Sequence, residues 1–229
     1  MCIKGAGVEP CDERAIPTIA QVYGLADAVA PRYRALVLLA AFGGLRRGEL
    51  FGLQRVDVDL LHRTVDVRSQ RQESSSGEQL IGPPKTIAGR RTLALPNELV
   101  PELEEHLARW VSLEPTALVF VGEKGQPVRA GVWQKEWDRA RRSVGLPDLH
   151  LHDLRHVAGT LAAATGAGTK EIMRRLGHAT QQAALRYQHA TDERDRVLAS
   201  GIDRLIQAAR EEATAPVVHL RSAGAGAKP

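Results

Sequence analysis

Residues 152–156 read His-Asp-Leu-Arg-His and open a stretch in which apolar residues recur at helical spacing up to Thr165. Residues three and four apart share a helix face, so His152, Arg155 and His156 are expected to lie together. Two imidazoles and a guanidinium on one face suit a phosphate, which is bound by cations and hydrogen-bond donors. A solvated polar face and a metal site remain alternatives, because two histidines four residues apart also occur in zinc proteases. Arg155 argues against the metal, since a fixed cation repels a dication.

Helical patterns surround this stretch on both sides. The first predicted helix starts after Thr18 and stops at Pro31, which cannot continue a helix. Apolar spacing and terminal signals predict further helices over residues 34–42, 46–53, 97–111, 131–144, 152–165, 170–176, 181–189 and 193–209.

The period of the apolar residues changes to two between Val56 and Leu95, in three short runs separated by polar residues. We expect a small three-stranded antiparallel sheet there, with the polar stretch at residues 72–79 as a mobile hairpin loop. A short strand or turn is expected at residues 118–121. The fold class is therefore α+β and mostly α-helical.

Composition sets wide bounds on the organisation of the chain. A chain of 229 residues with 43% hydrophobic content can bury one substantial core. We expect a linker arm at residues 1–16, one domain at 17–212 and a disordered Ala/Gly-rich tail at 213–229. The net charge of +4 suits a polyanionic partner without requiring one. Two cysteines, without a membrane span or secretion signal, favour the cytoplasm.

A second basic motif lies at residues 44–50, Gly-Leu-Arg-Arg-Gly-Glu-Leu, directly after a helical pattern. Arginine keeps its charge and presents a planar fork of donors that matches phosphate oxygens. Glu49, three residues after Arg46, is placed to hold that fork. An ordinary surface ion pair is the alternative, and such a pair contributes little to stability.

Three further residues are candidate site residues because of the motifs around them. Lys85 follows two prolines on the way into the last strand, and it can donate a proton if neighbouring cations lower its pKa; a solvated lysine is the alternative. His178 follows the Leu-Gly pair that ends a predicted helix. Tyr187 can be a nucleophile where a base or cations stabilise its phenolate, and is otherwise a packing residue.

Five short motifs, taken together and in this order, resemble the active-site signature of the tyrosine recombinase family. They are Gly-Leu-Arg with Glu three residues on, Pro-Lys before a strand, His-x-Leu-Arg-His, Leu-Gly-His and Tyr-x-His. This family includes the phage and integrative-element integrases, and the resemblance runs from about Thr18 to Ala209. It implies a helical catalytic domain with a small sheet, the DNA breaking-rejoining fold. It also implies that the family's N-terminal DNA-binding domain is absent from this chain, so DNA binding is expected to be weak.

By this resemblance, Arg46 and Arg155 bind the non-bridging oxygens of a scissile DNA phosphate, and His178 adds a hydrogen bond. Such contacts stabilise charge that grows in the transition state. Three further residues are expected to support the site, namely Glu49, His156 and His189.

The resemblance assigns the chemistry itself to three residues. Tyr187 attacks the phosphorus to form a 3′-phosphotyrosine, His152 takes the phenol proton and Lys85 protonates the leaving 5′ oxygen. A 5′ hydroxyl from another strand then reverses the step, so no cofactor and no metal is expected.

The partners implied are double-stranded DNA carrying a recombination site, other protomers in a tetrameric synapse and an accessory DNA-bending or directionality factor. Three rival functions stay open: a type IB topoisomerase, a non-catalytic DNA-binding remnant of the fold and a metal-dependent hydrolase. The short spacing between the Leu-Gly-His and Tyr motifs favours a recombinase over a topoisomerase. The presence of all six catalytic residue types favours an enzyme over a remnant.

Overall fold

The computed structural model describes residues 16–73, 79–84 and 87–177, together with Ile202. Apart from Ile202, these residues belong to one compact unit, Met1–Gln188, and the fold described below is that of this unit. The predicted N-terminal arm up to residue 15, the helices at 181–189 and 193–209 and the C-terminal tail lie outside the described residues, except for Ile202.

The first helix, α1 (Ile19–Ala28), starts at a capping box. Thr18 Oγ1 accepts a hydrogen bond from the Gln21 amide at 3.2 Å, and the Gln21 side chain accepts one from the Thr18 amide at 2.9 Å. Two amides at the start of the helix thereby gain partners that the helix itself cannot supply. The helix ends before Pro31, which opens a short 3-10 turn over Pro31–Tyr33.

The second helix changes its hydrogen-bonding period in the middle. It starts as the α-helix α2 (Arg34–Leu38) and continues as a π-helix over Leu39–Gly43, where the sequence predicted one regular helix. All residues from 35 to 41 are buried, so packing surrounds the wide turn. Gly44 then adopts a left-handed conformation with φ of 72° and leads into α3 (Arg47–Gly52).

Beyond α3 the chain forms a three-stranded antiparallel sheet in the order β1–β2–β5. Its strands are β1 (Val58–Asp59), β2 (Thr64–Val67) and β5 (Arg91–Ala94). Val65 lies opposite both Val58 and Leu93, and partners across strands share a face of the sheet. Val65 and Leu93 are buried, so this face joins the core. The predicted α+β fold with a small three-stranded sheet is confirmed.

A separate two-stranded ribbon pairs β3 (Gln70–Glu73) with β4 (Gln79–Gly82). The prediction of a loop over residues 72–79 was therefore wrong at its ends, where residues 72, 73 and 79 are paired. Close packing of α3 on the β3 backbone explains the difference. A Cβ atom on Gly52 would lie only 2.8 Å from the Arg71 amide nitrogen, so the glycine allows the helix to support a strand of polar composition.

Four more α-helices lie between residues 99 and 176, and each agrees with its predicted bounds within two residues. They are α4 (Leu99–Trp110), α5 (Ala130–Ser143), α6 (Leu151–Ala164) and α7 (Thr169–Leu176). The expected short strand at 118–121 consists of two isolated bridges, Gln54 with Leu118 and Val121 with Pro127. No helix in the described ranges has the length and apolar character needed to cross a bilayer.

Aromatic rings from α5 lie at the centre of the main core. Trp133 and Trp137 stack with ring centroids 5.8 Å apart, and Trp133 also meets the edges of Tyr33 and Phe51. Both tryptophans are 2% exposed. The α5 helix is thereby packed against the 3-10 turn and α3, the elements that flank residues 34–46.

A buried histidine, His106, lies on the inner face of α4. Its Nε2 is 2.7 Å from the carbonyl oxygen of Val119, and its ring lies 4.9 Å from that of Phe120. Within the described part of the chain, its Nδ1 has no hydrogen-bond partner. Burial lowers the pKa of His106, and the hydrogen bond to Val119 opposes that shift only in part.

Candidate active site

Five of the nine predicted site residues lie within the described chain. They are Arg46 and Glu49 at the start of α3, and His152, Arg155 and His156 on α6. The other four lie outside the described residues, namely Lys85, His178, Tyr187 and His189. The structure therefore addresses the phosphate-binding side of the predicted site.

The C-terminal end of α7 collects three arginine side chains, which we call the arginine cluster: Arg46, Arg91 and Arg155. Three successive carbonyl groups, of residues 175, 176 and 177, each accept a hydrogen bond from a different arginine. Arg91 Nε donates to residue 175 at 2.9 Å, Arg155 Nη2 to residue 176 and Arg46 Nη2 to residue 177 at 2.7 Å. These carbonyls have no amide partner within the helix, and the negative end of the helix dipole favours cations there. Arginines from three distant parts of the chain, α3, β5 and α6, thus meet at the C-terminal end of α7, directly before His178 in the sequence.

Glu49 is bound by two members of the arginine cluster. Its Oε1 accepts from Arg46 Nη1 at 2.8 Å and Arg91 Nη1 at 3.1 Å, and its Oε2 from the Arg46 amide at 2.8 Å and Arg91 Nη2 at 2.9 Å. Burial raises the pKa of Glu49, but the hydrogen bonds and charges of Arg91 and Arg46 outweigh it and hold the pKa below its ordinary value. The side chain of Glu49 is 1% exposed, so the surface ion pair alternative is wrong. The predicted contact between Glu49 and Arg46 is present.

A fourth arginine, Arg175, joins the end of α7 to the π-helix. Its Nη2 donates to the carbonyl oxygen of Phe42 at 3.0 Å, and its Nη1 to that of Ala94 at 3.4 Å. Burial and the nearby charge of Arg91 lower the pKa of Arg175. Four arginine side chains, Arg46, Arg91, Arg155 and Arg175, thus lie around the C-terminal end of α7.

Two glycines allow these segments to approach closely. Gly44 has φ of 72°, and a Cβ there would lie 2.7 Å from Leu176 Cδ2 and 3.0 Å from Ala158 Cβ. Its carbonyl oxygen also accepts a hydrogen bond from Arg155 Nη1. Gly177 ends α7 with φ of 60°, and a Cβ there would lie 2.8 Å from the Ala88 carbonyl oxygen. Each position combines a left-handed backbone with a contact that leaves no room for a side chain.

On α6, the two histidines and Arg155 differ in their exposure to solvent. The rings of His152 and His156 meet edge to face with centroids 5.6 Å apart, and His152 is exposed. Arg155 is 2% exposed and turns into the protein toward Gly44 and Leu176. The solvated-face alternative is therefore wrong for Arg155. Among the described residues, no group of three or more histidine, cysteine or acidic side chains is placed to hold a metal ion.

Sequence reasoning missed two residues of this region, Arg91 and Arg175. Alternation along β5 could have identified Arg91, because it occupies the same phase as Leu93 and Leu95, the two apolar residues that face the core. An arginine on the apolar face of a strand needs buried acceptors. For Arg175, on a helix rich in charged residues, we find no comparable signal in the sequence.

Solved recombinase structures share this fold. The Tn1549 transposon integrase (residues 82–397), determined in complex with circular intermediate DNA, matches 86% of this chain and 69% of its own with a TM-score of 0.71 and 22% identity. XerA recombinase matches 84% of this chain and 65% of its own, with a TM-score of 0.62 and 21% identity. At these identities the likeness establishes the fold, which is that of DNA recombinases.

Sequence relatives identify the family. The model of the phage integrase family matches residues 14–194. A putative prophage phiRv2 integrase of Mycobacterium tuberculosis is 38% identical over 192 residues, 83% of this chain and 51% of the relative. The integrase of Mycobacterium phage D29 is 34% identical over 184 residues, 79% of this chain and 49% of the relative. The chain belongs to the phage integrase family and spans about half the length of these relatives.

Proposed function

We propose that this chain is the catalytic part of a site-specific DNA recombinase that cleaves and rejoins DNA through a phosphotyrosine at Tyr187. The observation that carries the proposal is the convergence of Arg46 and Arg155 on the carbonyls of residues 177 and 176. Fixed guanidinium groups provide the donors and charge that a phosphate requires as it becomes pentavalent. Arg46 keeps 36% of its side chain exposed, so it is accessible to a ligand.

In the proposed reaction, the Tyr187 oxygen forms a bond to phosphorus as the bond to the 5′ oxygen breaks. His152 accepts the phenol proton and Lys85 supplies a proton to the departing 5′ oxygen. Lys85 lies three positions before Ala88 in the chain, and the Ala88 carbonyl oxygen is a close neighbour of Gly177.

The proposed partners follow from this chemistry. Double-stranded DNA carrying a recombination site is the substrate, so the protein acts on the nucleoid in the cytoplasm. A second DNA end must supply the attacking 5′ hydroxyl, and a tetramer of protomers on two duplexes would provide it. An accessory DNA-bending or directionality factor would select between integration and excision.

Trapping of the covalent intermediate tests the proposal. The full chain is incubated with a library of nicked duplexes of random sequence, in which cleavage near the nick releases a short 5′-hydroxyl fragment and prevents rejoining. We expect a protein–DNA band that survives denaturation, and sequencing of its DNA identifies the preferred site. Tyr187→Phe should abolish the band, because the attacking oxygen is removed.

Tyr23→Phe is the matched control, because Tyr23 packs against Phe42 and its ring is kept. Absence of the band in the wild-type chain, with specific binding to the same library, would support the non-catalytic remnant instead. A band in Tyr187→Phe would overturn the choice of nucleophile. Relaxation of supercoiled DNA without transfer to an added 5′-hydroxyl strand would support a topoisomerase.

A further inference from the structure

We propose that Arg91 is a positioning residue for the phosphate-binding arginine Arg46, an inference that rests on the proposed function. Arg91 is the first residue of β5, its side chain is 3% exposed, and it has no part in the proposed reaction. Four of its N–H groups donate to acceptors from three separate segments. It thereby joins the parts of the chain that carry Arg46, Lys85 and His178.

The first contact is with the carboxylate that binds Arg46. Arg91 Nη1 and Nη2 bind the two oxygens of Glu49 at 3.1 and 2.9 Å, a side-by-side arrangement that fixes the plane of the carboxylate. The same two oxygens receive the Arg46 amide and Arg46 Nη1. Arg91 therefore fixes the orientation of the Glu49 carboxylate, and the carboxylate in turn fixes the position of the Arg46 guanidinium.

Two further contacts join the segments that lead to Lys85 and His178. Arg91 Nε donates to the carbonyl oxygen of Arg175 at 2.9 Å, two residues before Gly177. Arg91 Nη1 also donates to the Gly89 carbonyl oxygen at 2.9 Å, four residues after Lys85. One rigid guanidinium thus sets the mutual placement of α3, the end of α7 and the turn before β5.

Lysine cannot replace arginine in this arrangement. Its ammonium group is a single donor centre on a flexible chain, whereas the contacts of Arg91 leave from three different nitrogen atoms. Arg91→Lys keeps the charge beside Glu49 but loses the geometry. Arg91→Gln loses the charge as well, so comparison of the two variants separates geometry from electrostatics.

The kinetic test compares single-turnover formation of the covalent band with DNA affinity, using the nicked site recovered by sequencing. We expect Arg91→Lys to slow the covalent step at saturating protein by about tenfold or more, because small misplacements of a catalytic group have effects of that size. DNA affinity should change by less than about threefold, since Arg91 is buried and phosphate contacts determine affinity. Arg91→Gln should be slower still.

Arg34→Gln is the matched control, because Arg34 also binds a glutamate through two nitrogen atoms, Glu102 at 2.8 and 2.9 Å, but does so between α2 and α4. It should leave both the rate and the affinity close to those of the wild type. The inference fails if Arg91→Lys cleaves at the wild-type rate. It also fails if rate and affinity fall in proportion, which a purely structural or DNA-binding role would produce.

Amide hydrogen exchange tests the same inference without any reaction. The Arg46 amide donates to Glu49 Oε2, so its protection reports the orientation of Glu49. In Arg91→Lys we expect exchange at Arg46 to accelerate at least about tenfold more than at Leu107 in α4, because global loss of stability would accelerate both amides together. Equal acceleration at the two amides would overturn the positioning role. If the wild-type chain forms no covalent band, the proposed function fails, and this measurement still decides whether Arg91 holds Arg46.

Discussion

The arginine cluster and His106 are two places where this fold buries polar side chains, and the two are built in opposite ways. Glu49 receives four hydrogen bonds from Arg46 and Arg91, and its pKa is lowered. His106 has one ring nitrogen bonded to the Val119 carbonyl and the other without a partner among the described residues, and its pKa is also lowered. Glu49 is held in its charged form, whereas His106 is held in its neutral form.

This difference indicates how each region responds to change. A buried charge with fixed partners becomes costly when one partner is removed, because the remaining charge has neither water nor a counter-ion. A buried neutral histidine becomes costly when a proton is added, because burial removes the water that would stabilise the charge. The cluster should therefore be sensitive to mutation at neutral pH, and His106 to acid.

Removal of the Glu49 charge is expected to cause the largest loss of stability. Glu49→Gln leaves Arg91 buried without its counter-ion and directs a new amide donor at existing donors. We expect the free energy of unfolding to fall by about 3–5 kcal/mol, as measured by urea denaturation at pH 7.5.

Glu102→Gln serves as the control, since Glu102 also pairs with an arginine but is 23% exposed. It should lose about 1 kcal/mol or less. A loss below about 1 kcal/mol in Glu49→Gln would mean that the cluster tolerates the change by admitting water, and the contrast with His106 would disappear.

The next effect tests how tightly the cluster is packed. Gly44→Ala combines a left-handed backbone with a Cβ that would meet Leu176 and Ala158, and we expect a loss of about 2–4 kcal/mol. Gly125→Ala is a close control, because Gly125 has φ of 74° but nothing within 4 Å of the added Cβ. It should lose about 1–2 kcal/mol. Equal losses in urea melts of the two variants would contradict a packing role for Gly44.

The smallest effect concerns His106 and pH. Its folded-state pKa lies below the ordinary value of 6.5, so the unfolded chain takes up a proton first as the pH falls. Stability is therefore unaffected by His106 above pH 6.5 and declines as the pH drops through 6.5 toward the folded-state pKa. Between pH 7.5 and 5.5 we expect the wild type to lose about 1 kcal/mol more than His106→Gln.

Urea denaturation at several pH values measures this difference. His62→Gln is the control, because His62 is exposed and pairs with Asp59 at the surface. That variant should keep the decline that His106 causes. Identical pH profiles for the wild type and His106→Gln would show that the ring accepts a proton without cost.

Periodicity explains why most helices could be predicted from the sequence. In α4 through α7 the apolar residues mark one face, and terminal signals such as Gly177 mark the ends. The π-helix at Leu39–Gly43 could not be predicted, because residues 35–41 are all buried and an unbroken apolar run has no phase. The β3–β4 ribbon was read in part as a loop because packing from α3, rather than its own composition, supports it.

The site shows the same division between local and long-range information. The pairing of Arg46 with Glu49 follows from their three-residue spacing, and His152 and His156 share a face for the same reason. The convergence of Arg46, Arg91 and Arg155 depends on the position of the end of α7 in the folded protein. No local sequence pattern predicts that position. Arg91 could have been identified only by its phase in β5.

The π-helical turn at Leu39–Gly43 determines how this part of the chain responds to the loss of a residue. Its amides bond five residues back instead of four, so the turn holds an additional residue compared with an α-helix. Because the wider turn takes up the additional residue, loss of one residue there would restore regular α-helical winding and keep the residues that follow, including Arg46, in nearly the same phase about the helix axis. In homologous genes, we therefore expect both amino-acid replacements and single-codon deletions to be tolerated in this turn, whereas single-codon deletions within the regular helix α6 should be rare. The exposed connection at residues 112–116 should accept both.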